Sequence, residues 1–396
     1  MKDDYDDERN VTSPSSFILP PSSLTASFRV VIHTPDVVGE RMAGPGIRAW
    51  HLASELAKYF PTSLIAKRDE LGAGGVSPSP GNVPLDIIPH GSPAARAAMR
   101  DATVLIGQPA RGFRKRRRAQ RIIFDLFDPT VLELRELYGI RPSLRQRAHL
   151  AAEWWRLSEA LMVGDVLMCA AWKQRELYET IQSGSAPWIE VPFGIDLADV
   201  SSCDRPADDI VVWNGGVWEW LDPATAVDAI VRLNSEGLRV KLLFLGRARP
   251  NLDLIDRRRD DRFDALLERA GPHVSANDAW IPYRERLSWL RSGRIAIMLH
   301  RRTAEAEYSI RTRLFDAIAA GIPVVATSGG FAAELVVQEG LGMVVPPGDV
   351  AAVADAIRHL LTNDQSYREC VKNLERIRPR FAWELVTRPL VSAIMG

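Results

Sequence analysis

The sequence predicts an α/β protein built from two doubly wound parallel sheets. Three observations carry this. Short apolar runs alternate with helical patterns along nearly the whole chain, from Phe28–Thr34 to Pro323–Thr327. A glycine-containing loop follows the first strand of each half, at Gly44 and Gly46 and again at Gly215-Gly216. The length, 396 residues, suits two domains of ordinary size.

Taken in order, residues 1–27 are rich in Asp, Ser and Pro and predict a disordered tail, with Phe17-Ile18-Leu19 as a docking patch. Phe28–Thr34 is the first strand, Pro35–Pro45 its loop, and Ile47–Tyr59 a helix. Residues 70–93 are rich in Gly, Pro and Ser around one short strand at Leu85–Ile88. Thr103–Gly107 and Ile122–Pro129 are further strands. Residues 130–182 read as mostly helical around a strand at Val166–Cys169, with Trp154, Trp155 and Trp172 expected in the core. Val191–Asp196 closes the first domain (28–198), and 199–209 is polar enough for a linker. The second domain (210–378) opens with strand Ile210–Asn214. A helix from Asp222 follows, with Pro223 at its first position. Strands at Val240–Gly246 and Ile295–His300 and a helix at Val350–Leu361 complete it. Residues 379–396 hold an amphipathic helix.

Composition is that of a water-soluble globular protein, 46% hydrophobic and 25% charged. With 50 basic and 50 acidic residues the molecule as a whole is no electrostatic binder of nucleic acid. Cys169, Cys203 and Cys370 are far apart and odd in number, which indicates neither a disulfide framework nor a zinc site. They fit a reducing cytosol. No apolar run is long enough to span a bilayer, and the amino terminus does not read as a signal peptide. Arg111–Arg121 carries seven basic residues in eleven. A solvated helix face and an anionic membrane surface are the competing readings; each basic residue near such a surface contributes ~1 kcal/mol. Nucleic acid is disfavoured, because no aromatic residues interleave and no recognised module is present. The expected location is the cytoplasm, with peripheral contact at the inner face of a membrane.

The most informative stretch is Arg301–Gly348. Acidic and basic residues stand at the mouth of a helix whose apolar face is Leu314, Phe315, Ile318 and Ala319. The helix stops at Gly321, with Pro323 just beyond. Pro323–Thr327 reads as a strand buried on both faces, and Gly329-Gly330 opens a second helix near Ala332–Gln338. A helix N-terminus with Arg311 and Arg313 beside it suits phosphate. Asp316, one turn in, can accept hydrogen bonds from ribose hydroxyls. A capped helix with a solvated charged face is the bland alternative for any one of these residues.

Asp316-Ala-Ile-Ala-Ala-Gly321-Ile-Pro-Val-Val325 resembles the donor-site signature of retaining GT-B glycosyltransferases of the family-four type, the group of sucrose and trehalose-phosphate synthase relatives. The Arg-Thr-Arg-Leu-Phe-Asp form resembles a branch of cell-surface polysaccharide and natural-product enzymes. Met42–Arg48, Asp125–Pro129, Val191–Asp196 and Gly215–Pro223 extend the likeness over most of the chain. The resemblance implies two Rossmann-like domains facing a cleft, the first for acceptor and the second for donor, with the terminal helix crossing back to the first. It implies transfer of a sugar from a nucleotide-diphosphate donor to a hydroxyl acceptor, with retention and without a metal. The nucleotide sugar is a co-substrate, no cofactor is expected, and a lipid-linked acceptor is one option.

The family pattern has a Glu eight residues before the position of Asp316; here Tyr308 stands there, and Glu307 is the nearest acid. The catalytic set is therefore Glu307, Asp125 and Arg311. The donor set is Asp316, Arg313, Gly215, Gly216, Trp218, His300, Arg301, Tyr308, Ser309 and Ile281, with Trp280–Tyr283 at the nucleobase. Gly44, Gly46 and Arg48 form the acceptor and phosphate loop, against the alternative of a plain strand-to-helix turn. Relatives often carry an Arg and a Lys after the glycine pair; Val217 and Asp222 hold those places here, so Arg301, Arg302, Arg311 and Arg313 are the replacements. A degenerate protein that binds without turnover is the main alternative. A sugar epimerase or phosphorylase comes next, and a dehydrogenase last, since Gly-x-Gly-x-x-Gly is absent.

Overall fold

The computed structural model describes residues 28–68, 85–181, 184–197, 209–246 and 257–396. The tail expected at 1–27, nearly all of the linker expected at 199–209 and all of 70–84 lie outside the described residues. The first sheet and its helices run β1 (Val30–Val38), α1 (Gly44–Leu56), β2 (Thr62–Arg68), β3 (Asp86–Pro89), α2 (Pro93–Asp101), β4 (Val104–Gly107), β5 (Arg121–Asp125), α3 (Thr130–Tyr138), α4 (Leu144–Val163), β6 (Val166–Cys169), α5 (Trp172–Ile181) and β7 (Trp188–Glu190). The second runs β8 (Ile210–Trp213), α6 (Pro223–Ser235), β9 (Lys241–Phe244), α7 (Arg257–Ala270), β10 (Val274–Ala276), α8 (Arg286–Leu290), β11 (Ile295–Met298), α9 (Ala304–Tyr308), α10 (Thr312–Ala320), β12 (Val324–Thr327), α11 (Gly330–Glu339), β13 (Gly342–Val345), α12 (Val350–Thr362), α13 (Asp364–Ile377), α14 (Trp383–Val386) and α15 (Arg388–Met395).

Both sheets are parallel throughout. Their orders are β3-β2-β1-β4-β5-β6-β7 and β10-β9-β8-β11-β12-β13. Each order reverses direction next to its first strand, between β1 and β4 and between β8 and β11. Ligands of open α/β sheets bind outside the carboxyl ends of strands at such a switch point. The loops that leave β1, β8 and β11 therefore mark where a site belongs. The central strands β4, β6, β11 and β12 are buried at every position, which is why they read as unbroken apolar runs.

β1 continues past the expected end at Thr34, through a bulge between His33 and Val37, and still pairs with β2 at Val38. α1 then starts at Gly44 itself, with Pro45 in its first turn. Gly46 has no room for a side chain: a Cβ there would sit 2.2 Å from the Val37 carbonyl oxygen. We therefore predict that Gly46→Ala, despite a higher helix propensity, lowers the melting temperature by several degrees. An unchanged melting curve would show that the Val37 strand end gives way freely.

The basic stretch at 111–121 is not a helix face; it is a series of turns leading into β5. Trp155 and Trp172 are 64% and 44% exposed, so the expectation of core packing fails for both. α13, which sequence reading passed over, buries Tyr367, Leu374 and Ile377.

One apolar core runs through both halves. Its bridge is aromatic. Trp50 and His51 of α1 meet Tyr283 from the loop after β10, and His51 stacks on Trp383 at 4.8 Å. His51 Nε2 and the Tyr283 hydroxyl are 2.6 Å apart. Burial, with Arg286 nearby, holds the His51 pKa well below its usual value, so the ring is neutral. The Tyr283 N–H donates to the Glu40 carbonyl at 2.8 Å. Residues 379–396 return to the first half, where Ile195 bridges to Ala382 and the Ile195 N–H donates to the Phe381 carbonyl at 2.6 Å.

Candidate functional site

Two cavities meet where the loops of the two halves face each other. The smaller, ≈ 170 Å³, lies against the second half; Asn214, Gly215, Gly216, Ile281, Tyr283, Arg286 and Asp316 line it. The larger, ≈ 360 Å³, lies between the halves. Asp36, Phe127, Asp128, Glu133 and Leu137 come from one side, and Trp220, His300, Ile310 and Arg311 from the other. Gly44, Trp218, Thr312 and Arg313 border both cavities.

The smaller cavity is built around Asp316, one turn into α10. Its Oδ2 accepts from Asn214 Nδ2 at 2.9 Å and its Oδ1 accepts from Arg286 Nε at 3.3 Å. Arg286 stacks its guanidinium 3.7 Å from the centre of the Tyr283 ring. The carboxylate is thus fixed in direction at the rim of the cavity. Neither Asn214 nor Arg286 was singled out from sequence; Asn214 follows the β8 strand and Arg286 opens the short helix α8.

Where the cavities join, cations gather. Arg313 Nη2 donates to the Gly216 carbonyl, and its guanidinium lies 5.6 Å from the Trp213 ring centre. Its Nη1 has no partner. Burial and the nearby Arg311 disfavour its charge, a strain that a bound anion would relieve. Arg311 is paired bidentately with the fully buried Glu305, at 2.7 Å for both bonds. Glu305 was missed because no spacing rule points to it. Arg311 is also the N-cap of α10 and offers no side-chain cap, so the first amides of that helix are open to a ligand.

His300 is 3% exposed. Its Nδ1 lies 2.9 Å from Thr327 Oγ1, which also accepts the His300 backbone N–H at 2.8 Å. The hydroxyl proton then points to Nδ1 in preference to the Met298 carbonyl at 3.4 Å. That makes Nδ1 the acceptor and Nε2 the N–H donor, and Nε2 is buried without a partner. Burial, then Arg311 and Arg313, hold the ring pKa well below its usual value. His300 thus offers a neutral donor at the larger cavity.

The first half supplies carboxyls instead. Asp36, Asp128 and Glu133 all have raised pKa values, first through burial. For Asp128 the value is pushed up to about 7, with Asp36 and Asp125 adding to the burial effect. An unfolded aspartate loses its proton near 3.8 and folded Asp128 near 7, so folding takes up a proton between those values. Stability contributed by this group therefore falls as pH rises through that window. Asp128→Asn should gain melting temperature relative to the parent as pH goes from about 4 to about 7, and show a constant difference outside it. An equal difference at all pH values would mean that Asp128 is not held protonated.

Several expected site residues are elsewhere. Arg48 and Asp125 are buried and paired to each other, Nε to Oδ2 at 2.7 Å and Nη2 to Oδ1 at 3.1 Å. Arg48 Nη1 also donates to the Pro192 carbonyl at 3.1 Å. The pair ties α1 to the end of β5, and neither group lines a cavity; Asp128 does. Gly46 serves the close approach of α1 to β1, as above. Glu307 faces away from the cavities and pairs with Lys173 of α5 at 2.7 Å, and Lys173 also holds Glu334 at 2.5 Å. That contact joins the two halves at the surface. Arg301 is exposed and anchored by its backbone N–H to the Trp220 carbonyl at 2.9 Å. Tyr308 is half-buried and Ser309 buried, and neither lines a cavity. Trp218 and Trp220 stack in parallel with centres 5.3 Å apart and wall the larger cavity. Among the described residues no group of three or more His, Cys, Asp or Glu side chains is arranged to hold a metal ion.

Two parallel Rossmann-like sheets with a cleft between them, each opening at its switch point, make this the GT-B fold of glycosyltransferases. Residues 209–363 match the family model described as Glycosyl transferases group 1. The whole-chain fold is shared with the sucrose-phosphate synthase of Thermosynechococcus elongatus, at 17% identity over 93% of this chain and 98% of that one, with a TM-score of 0.68. It is shared with Anabaena HepE solved with UDP and glucose, at 11% identity over 93% of this chain and 100% of that one, TM-score 0.68. WaaG, a glycosyltransferase of lipopolysaccharide biosynthesis, aligns at 16% identity over 92% of this chain and 98% of its own, TM-score 0.64. In sequence, 70 residues are 37% identical to sucrose-phosphate synthase 4 of Arabidopsis thaliana, a match that takes in 18% of this chain and 7% of that protein.

Proposed function

We propose that the protein is a glycosyltransferase that moves a sugar from a nucleotide-diphosphate donor to a hydroxyl acceptor, with retention and without a metal, in polysaccharide, glycolipid or natural-product synthesis. The observation that carries this is the polarity of the joined cavities. Cations and donor groups (Arg311, Arg313, the His300 Nε2–H, the α10 amides) stand on the second-half side, and carboxyls stand on the first-half side. A nucleotide sugar has the matching polarity, with its charge on the diphosphate and hydroxyls on the sugar.

In this reading the base enters the smaller cavity beside Ile281 and Tyr283, and Asp316 holds the ribose. The diphosphate lies over Gly215-Gly216, where Gly215 has φ 81° and a Cβ would meet the Arg313 guanidinium at 3.5 Å. Arg313 and the helix amides stabilise the leaving diphosphate, a fixed electrostatic contribution of the kind that dominates many enzymes. His300 donates to a phosphate or sugar oxygen. The acceptor comes from the Asp36, Asp128 and Glu133 side, and Trp218 with Trp220 walls the sugar. No acid stands where the family signature has its first Glu, and Glu307 is engaged by Lys173, so the sugar hydroxyls fall to Asp128 or Glu133 instead.

HepE was solved with UDP-glucose, which makes that the first donor to try. Purified protein is incubated with UDP-, GDP-, dTDP- and ADP-glucose, and nucleoside diphosphate release is followed. Release from one donor, faster with a hydroxyl acceptor and giving a product of unchanged anomeric configuration by NMR, supports the reading. Binding of a nucleotide without release from any donor overturns the catalytic claim, and an inverted product overturns retention. Asp316→Ala is expected to weaken nucleotide binding about tenfold or more, by loss of a charged hydrogen-bond acceptor, with the circular dichroism spectrum unchanged. Unchanged binding would move the ribose elsewhere.

A further inference from the structure

The first half carries an apolar stripe that nothing among the described residues covers. α4 has 20 residues. Its inner face buries Leu157, Ala160 and Leu161, and it packs on α3. Its outer face shows Leu144, Trp155 and Met162, which are 83%, 64% and 60% exposed. These positions are eleven and seven residues apart, about three and two helical turns, so they fall on one line. Ala148 and Ala151 are exposed on the same line. Ile140, 99% exposed in the turn before α4, extends the stripe at one end, and Val163, 49% exposed, extends it at the other. An isolated exposed leucine is ordinary; Leu144, Trp155 and Met162 in line over about 27 Å of helix, with Ile140 just beyond, are not.

Both ends of the stripe are basic. Arg141, Arg145 and Arg147 are exposed beside Ile140 and Leu144. At the other end Asp165, just after α4, binds Lys115 at 2.6 Å and accepts the Ile122 N–H at 2.7 Å. Those bonds dock the basic loop against the end of the stripe, with Arg114, Arg116 and Arg118 exposed. The nearest acids are largely withdrawn: Glu153 is engaged by Arg156 and His149, and Glu159 is half-buried.

We propose that this face of α4 docks on an anionic lipid membrane, with Ile140, Leu144, Trp155 and Met162 seated in the headgroup–acyl boundary and the flanking arginines on lipid phosphates. A helix lying in the interface needs this combination of an apolar stripe and a cationic rim. A second copy of the chain fits less well, because an antiparallel two-fold contact along the stripe sets Arg145 and Arg147 of one copy against the basic loop of the other, and a parallel one sets them against each other. The proposal is independent of the transferase reading, since it concerns a surface outside both cavities. Because α3 packs on α4 and walls the larger cavity through Glu133, Leu134 and Leu137, docking sets that cavity close to the lipid.

The test is co-sedimentation of the full chain with vesicles of phosphatidylcholine alone and of phosphatidylcholine with phosphatidylglycerol in equal parts. The protein should pellet with the anionic vesicles and be released by high salt. The triple variant Leu144→Ser, Trp155→Ser, Met162→Ser should partition about tenfold less or weaker still, with an unchanged melting temperature because the three side chains are exposed. Arg141→Gln, Arg145→Gln, Arg147→Gln should weaken partitioning and flatten its salt dependence. No binding to anionic vesicles overturns the proposal. So does a serine variant that pellets like the parent, which would leave the basic loop as the sole contact. A dimer in analytical ultracentrifugation that the serine variant dissolves overturns it in favour of a second copy.

Discussion

Asp125→Ala should cost roughly 3–5 kcal/mol of stability, more than any other single change proposed for this chain. The carboxylate accepts two bonds from Arg48, which is 0% exposed. Removing it leaves a buried guanidinium with the Pro192 carbonyl as its hydrogen-bond partner and the Phe127 ring 4.9 Å away. The pair also positions the site at a distance. It holds the start of α1, and therefore Gly44, against the end of β5, and therefore Asp128. Replacing both partners together with apolar groups, as in Arg48→Met with Asp125→Leu, should restore much of the loss, since no charge is then stranded. Chemical denaturation of the parent and the two variants is the check. An Asp125→Ala protein as stable as the parent would show that Arg48 finds water, and the pair would lose its structural role.

Arg313→Ala should lower turnover of the donor about 100-fold or more while leaving the fold in place. The side chain makes one protein hydrogen bond, to the Gly216 carbonyl, and has an unpartnered Nη1 where the two cavities join. A cation held there without a protein anion on it is placed for a ligand's charge. Arg313→Lys keeps the charge but not the forked geometry and should recover only part of the rate. Steady-state kinetics with the preferred donor, together with nucleotide affinity for each variant, separates binding from turnover. Parent-like kinetics for Arg313→Ala would remove the diphosphate from this end of α10.

The fold was legible because its signals are local. Buried parallel strands read as short apolar runs, and α10 announces its end with Gly321, whose φ of 73° suits a residue without a side chain, followed by Pro323. The placement of Asp316 at the smaller cavity follows from the same stretch, because helix start, spacing and strand are contiguous there. What was not legible depends on distant residues. Nothing in Arg48 or Asp125 taken singly says that they meet across 77 positions, and each alone reads as a ligand-facing charge. Glu307 was the nearest acid to the expected register, but α9 is a single short turn, and a one-turn helix sends neighbouring side chains to opposite sides. Glu305 goes inward to Arg311 and Glu307 outward to Lys173. Trp155 was misread for a similar reason: the periodicity of α4 permits two faces, and only the packing of α3 decides which is buried.

The most direct measurement of the central claim is isothermal titration of the purified protein with UDP, GDP, dTDP and ADP, first without added metal and then with EDTA present. The account predicts one clear binder, unaffected by EDTA and weakened by Asp316→Ala. No binding by any of the four, with the protein shown to be folded, would contradict it and leave the joined cavities without a nucleotide.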